Sequence, residues 1–222
     1  MLKLYHYPIS PNSRRVWVAL LEKQIEFELV SLNLDGDQFQ PEFLAISPFH
    51  HIPVLVDDDF TVVESLAILD YLEAKYPTPA LLPADAKDLA VVRMVELVTV
   101  NELLPALNPL VAQMVGLDGL DPQKLEQAKQ QARTILNFFE SLLGDNTYFG
   151  GSSSITLAEI VAGTVVPLLP MLGVSLDNYP KLSAWCRSLS DREAWTKTQP
   201  SPEAMEAAKA RIRERMAAQQ QR

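Results

Sequence analysis

The stretch HHIPVLVDDDFTVVES, His50 to Ser65, carries two short apolar runs, PVLVD and FTVV, on either side of the acidic turn Asp57–Asp58–Asp59. Runs joined by so short a turn pair as antiparallel neighbours. Proline cannot donate to a sheet ladder and is tolerated at a strand's first residue, and a bond such as Ile52–Pro53 can sit cis at small cost. A cis bond here turns the Ile52 backbone outward, where its amide and carbonyl can pair with an extended peptide. At the other end, Glu64 and Ser65 fall where FTVV becomes the helix SLAILDYL, so the first free amides of that helix face whatever lies beside them. Those amides and the Ser65 hydroxyl suit a carboxylate, while Glu64 suits an ammonium group. The stretch predicts a seat for a small zwitterionic peptide.

Upstream, KLYHY reads as a strand, SRRVWVALLEK as an amphipathic helix and FELVSL as a second strand, a βαβ unit whose strands are parallel. A short helix near PEFLAI precedes the hairpin, and SLAILDYLEAKY follows it. The order β-α-β-α-β-β-α with a mixed four-stranded sheet is that of an α/β thioredoxin-like domain, expected over residues 1–77. The proline-rich PTPALLPADA then marks a linker at 78–86, and no strand-like alternation follows it. Residues 87–200 are expected to form an all-α helical domain. Within it, LEQAKQQARTILNFFESLL repeats apolar residues at helical spacing behind the N-cap Asp121 and Pro122, and SITLAEI encodes a capping box between Thr156 and Glu159. Residues 201–222, rich in Ala, Glu, Arg and Gln, read as a solvated helical or disordered tail.

Hydrophobic residues make up 48% and charged residues 21% of the 222, the profile of a globular protein. A net charge of -9 argues against a nucleic-acid partner, and no stretch is long and apolar enough for a membrane span, so a cytoplasmic protein is expected. Cys186, the single cysteine, leaves no disulfide, no Cys-x-x-Cys pair and no thiolate metal site, and its place in LSAWCRSL reads as core. No metal is expected.

The order of elements, with SPNSRRV at the first strand-helix turn, HHIPVLVDDDFTVVESLAILDYL across the hairpin and SITLAEI in the helical domain, resembles the cytosolic glutathione transferase family over nearly the whole chain. That resemblance implies glutathione as co-substrate. Ile52, followed by Pro53, would hold its cysteinyl backbone, Glu64 and Ser65 its γ-glutamyl end, and His50 or His51 its glycine carboxylate. Many members carry lysine, arginine or glutamine near that last position, so a histidine departs from the pattern. Adjacent residues of an extended segment point to opposite sides, which favours one of the pair, His51, as the contact. The resemblance also implies a homodimer, in which Phe49 matches an aromatic that some classes insert into the partner subunit and Asn101 could reach the partner's glutathione.

A thiol with an ordinary pKa near 8.5 is only a few per cent ionised at neutral pH, so the site must favour the thiolate. Candidates lie in YHYPISPNSRR. By resemblance to the serine-using theta and zeta classes Ser10 matches the thiol-activating position, and Asn12 is the alternative, because a related bacterial group uses an asparagine nearby. Tyr5 lies in the strand, Ser13 reads as a helix cap, and Arg14 and Arg15 read as solvated charges, one of which could lend positive potential to the thiolate without being catalytic. An apolar electrophile site is expected from Tyr7 at the first turn and from Met94, Leu97 and Val98 on the long helix DLAVVRMVELVTVNELLPALNPLVAQM.

The reading is an enzyme of detoxification and stress response, theta- or zeta-like or of the bacterial chi-like class. It would conjugate glutathione to small hydrophobic electrophiles such as isothiocyanates, with a peroxidase side activity. The alternative is a non-catalytic binding or regulatory protein on the same fold. Disulfide or dehydroascorbate reduction through a protein cysteine lacks its nucleophile, because position 10 is serine.

Overall fold

The computed structural model describes residues 1–33 and 36–220. The chain divides into two compact units, Met1–Leu82 with Arg192–Pro200, and Pro83–Asp191 with Ser201–Arg222. The last two residues of the expected tail, 221 and 222, lie outside the described residues.

The first unit runs β1 (Leu2–His6), α1 (Pro11–Glu22), β2 (Phe27–Ser31), α2 (Pro41–Leu44), β3 (Val54–Asp57), β4 (Phe60–Val63) and α3 (Ser65–Lys75). The strands lie in the order β2-β1-β3-β4, with β1 parallel to β2 and antiparallel to β3, and β3 antiparallel to β4. This is the expected thioredoxin-like mixed sheet. Leu2, Leu4 and His6 are the buried alternate residues of β1, as a period of two requires. Val16, Val18, Ala19 and Leu20 of α1 and Ile68, Leu69 and Leu72 of α3 supply the helical side of the core. The Ile52–Pro53 bond is cis, as is Thr78–Pro79.

Residues 192–200, expected in the helical domain, group with the first unit instead. The reason is a set of side chains on α1. Glu22 accepts two hydrogen bonds from Arg192, at 2.9 and 2.6 Å. Arg14 donates to Thr198 Oγ1 at 3.1 Å and to the Trp195 carbonyl at 3.2 Å. The short helix α9 (Glu193–Lys197) is thereby pinned to α1 at both its ends, with Trp195 buried.

The second unit is all helical: α4 (Ala86–Val98), α5 (Leu104–Met114), α6 (Pro122–Leu143), α7 (Leu157–Ala162), α8 (Pro180–Ser190) and α10 (Pro202–Gln220). The expected long helix is interrupted between α4 and α5 by a π-helical turn, Thr99–Leu103. Pro105 has no N–H to offer the Asn101 carbonyl, and the helix widens immediately before it. The core is centred on an aromatic chain in which Phe149 lies 6.0 Å from Phe139 and 5.5 Å from Trp185, both edge-on. Beside it the Thr156–Glu159 capping box forms, and fully buried Glu159 also accepts from Phe149 N at 2.8 Å and Trp185 Nε1 at 3.2 Å. Burial raises the Glu159 pKa against these donors and the Thr156 hydroxyl, which donates to it at 2.7 Å. Cys186 is buried, as expected, and burial pushes its thiol up to about 12. No helix among the described residues is long and apolar enough to cross a membrane.

Candidate functional site

The sheet register brings three connections to one end of the first unit. Tyr5 of β1 pairs with Val54, and Val54 pairs with Val63. The turn Tyr7–Ser10 that leaves β1, the Ile52–Pro53 step that enters β3 and the Glu64–Ser65 step that leaves β4 therefore stand side by side. Ligands of α/β folds gather at such strand ends, where loops and helix starts offer unpaired backbone groups.

The first turn is held by two serines. Ser10 is the N-cap of α1, accepting on Oγ from Ser13 N at 3.3 Å, while its own amide donates to the Tyr7 carbonyl at 3.0 Å. Ser13 is fully buried and accepts from Tyr7 N at 3.3 Å, so its hydroxyl shapes the turn. Because Ser10 serves the cap as an acceptor, that bond does not use its hydroxyl proton. Asn12 sinks its Oδ1 into the protein without a hydrogen-bond partner. Tyr5 packs at a tilt against Phe43, with ring centroids 6.1 Å apart.

Ser47, buried beneath the Ile52 loop, fixes it by donating to the His51 carbonyl at 2.8 Å and accepting from the His51 amide at 3.2 Å. The two histidines separate. His50, at φ 57°, turns Nδ1 to the Gln38 carbonyl at 3.3 Å and its ring against Phe39 at 5.0 Å. Both histidines are exposed, and the His51 ring lies 6.5 Å from that of Phe49, which is itself 60% exposed.

At the third connection Glu64 occupies φ 69°, a left-handed conformation that costs a non-glycine residue free energy and that tends to persist at functional positions. It is the N-cap of α3 yet makes no side-chain cap, unlike Ser10, Asp85, Asp121 and Thr156 at the starts of α1, α4, α6 and α7. Ser65 is buried, and its Oγ accepts from Arg15 Nη1 at 3.3 Å.

The arginines correct the sequence expectation. Arg15 is wholly buried beneath the site, and Arg14 is spent on α9, where burial lowers its pKa. A helical stripe could have exposed the first: Arg15, Ala19 and Lys23 stand four residues apart, and all three are buried. His6 was also missed. It is 2% exposed, with Nε2 2.9 Å from Ser31 Oγ and its ring edge-on to Trp17 at 5.1 Å, and burial pushes its pKa down to about 4.

Of the expected electrophile residues, Met94 and Leu97 are exposed and Val98 is half-buried. They share one face of α4 by their spacing. Tyr7 belongs to the other unit. A groove of about 320 Å3 in the second unit, between α5, the start of α6 and Met216 of α10, contains none of the expected site residues.

Residues 4–80 match the N-terminal domain of glutathione S-transferases and residues 101–193 their C-terminal domain. The chain is 36% identical to glutathione S-transferase 3 of Zea mays, over 89% of this chain and 92% of that protein. It is 32% identical to maleylacetoacetate isomerase of Rattus norvegicus, over 89% and 91%. The crystal structure of glutathione transferase F7 from Populus trichocarpa superposes with a TM-score of 0.75 at 29% identity, covering 92% of this chain and 99% of that one.

Proposed function

The chain belongs to the glutathione S-transferase family, and we propose that it joins the thiolate of reduced glutathione to small hydrophobic electrophiles, isothiocyanates among them, at the three connections of the first unit. The observation that carries this reading is the start of α3: an N-terminus without a side-chain cap, a buried Ser65 hydroxyl and a left-handed Glu64, beside the Ile52–Pro53 step. Free amides and a hydroxyl receive the γ-glutamyl carboxylate, Glu64 its ammonium, and the Ile52 backbone the cysteinyl residue. His51, with its ring left exposed, takes the glycine carboxylate.

Extended from Ile52, the tripeptide carries its sulfur toward the first turn. Ser10 donates its free hydroxyl proton to the thiolate there, beside the N-terminus of α1. Each unit of pKa depression requires roughly 1.4 kcal/mol of preference for the anion, within reach of one good donor and a helix N-terminus. With the thiolate bound, a peroxide is a further acceptor. The working form is a cytoplasmic homodimer serving detoxification, and the exposed Phe49 supports the subunit contact.

Thiolate absorbance of bound glutathione against pH tests the reading. Ionisation well below that of the free thiol, lost in Ser10→Ala and kept in Asn12→Ala, supports it. Loss in Asn12→Ala alone transfers the donor role to Asn12. Failure to bind glutathione, or binding with unshifted ionisation, overturns the transferase in favour of a binding protein.

A further inference from the structure

Serine hydroxyls are ambivalent: each can donate once and accept twice, and a rotor free to do either makes a poor anion receptor. At Ser65 that freedom is restricted. Oγ accepts a hydrogen bond from Arg15 Nη1 at 3.3 Å, and a guanidinium has no acceptor to offer in return. The Ser65 proton therefore points away from Arg15. Arg15 is wholly buried and Ser65 is 8% exposed, so the pair is shielded from competing water. Arg15 lies on α1 and Ser65 begins α3, so the bond also ties the helix that carries Ser10 to the helix start that lacks a cap.

We propose that Arg15 is a positioning residue for the γ-glutamyl carboxylate: it turns the Ser65 hydroxyl proton away from α1 and places a buried positive charge behind it. The inference rests on the placement of that carboxylate at Ser65 in the proposed function. Its consequence is selective. Arg15 supports recognition of the α-carboxylate and leaves the rest of the tripeptide and the thiol to other groups.

The test compares the full chain with Arg15→Met, Arg15→Lys and Ser65→Ala by calorimetric titration with two ligands. One is reduced glutathione. The other is γ-aminobutyryl-cysteinyl-glycine, the same tripeptide without the α-carboxylate. The wild type should prefer glutathione by about tenfold to a hundredfold, the range of a charge-assisted hydrogen bond. Arg15→Met should lower that preference by about tenfold through weaker glutathione binding, the helix amides keeping what remains, with binding of the analogue unchanged within about twofold and the ionisation of bound thiol unmoved. A merely structural arginine would weaken both ligands alike, and that result overturns the proposal. If Arg15→Met does not fold, Arg15→Lys decides. Its shorter, unforked ammonium should lower the preference several-fold, and an unchanged preference overturns the proposal. The Ser65→Ala variant separates the two levels of inference. Preference lost in Ser65→Ala and intact in both arginine variants removes only the role of Arg15. Preference intact in Ser65→Ala removes the carboxylate placement, and the proposal with it.

Discussion

The Lys23 ammonium lies 2.6 Å from the Glu73 carboxylate, with the lysine side chain wholly shielded from solvent. The same ammonium donates to the Tyr76 and Pro79 carbonyls, each at 2.7 Å, and Glu73 accepts from Leu81 N at 3.0 Å. One buried pair thus joins the end of α1 to the end of α3 and to the segment that leaves it. Lys23→Met would strand a carboxylate and two carbonyls, and is expected to cost about 3 kcal/mol. Chemical denaturation should show a lower midpoint, and replacing Glu73 by methionine as well should recover part of the loss.

Gly150 has φ 69°, and a Cβ there would meet the Asp88 carbonyl oxygen at 2.9 Å and Val92 Cγ2 at 3.2 Å. Gly119 has a similar φ of 72° with nothing within 4 Å. Alanine at 119 meets backbone strain alone and should cost about 1 kcal/mol. Alanine at 150 adds a clash with the backbone of α4 and should cost at least about 2 kcal/mol. Equal melting shifts in the two variants would contradict the close approach.

The fold class was legible because its signals are local. Strand alternation, the acidic hairpin turn and the Thr156–Glu159 spacing are each set by residues close in sequence. What escaped depends on distant partners. Glu159 is written as a cap, but its bonds to Phe149 and Trp185 come from elsewhere in the chain. Arg15 looks like a surface charge until Ser65 arrives beside it. The expectation that His50 and His51 point to opposite sides assumed an extended segment, and neither the left-handed φ of 57° at His50 nor the hold of the Gln38 carbonyl on it could be foreseen.

His6 gives a pH dependence of defined sign. Its folded pKa of about 4 lies below the ordinary 6.5, so the folded chain resists a proton that the unfolded chain accepts. Above 6.5 the imidazole is neutral in both states and its contribution is whole. Between 6.5 and 4 stability should fall, by about 3.5 kcal/mol at roughly 1.4 kcal/mol per pH unit. Unfolding free energy measured across that window should slope more steeply in the wild type than in His6→Gln, and identical slopes would refute the assignment.

Glu64 holds its left-handed conformation at a cost that glycine would not bear. Glu64→Gly should stabilise the chain by about 1 kcal/mol while weakening glutathione binding at least about tenfold through loss of the ammonium contact. Melting temperature and calorimetric affinity should therefore move in opposite directions. A variant that gains stability and binds as the wild type does would show that the strain serves something else.

The segment Arg192–Pro200, pinned by Arg14 and Glu22, has a consequence for biogenesis. Residues 1–82 leave the ribosome ahead of the second unit, but the piece that completes their unit is translated only after the helices from α4 to α8. At ordinary elongation rates that interval is on the order of ten seconds. Throughout it the α1 surface that will receive Trp195 stays uncovered, and Arg14 and Glu22 wait for partners not yet made. A unit whose larger part is made before the helices from α4 to α8 is thus finished only after them, and a nascent chain arrested before Arg192 would present that uncovered helix to chaperones.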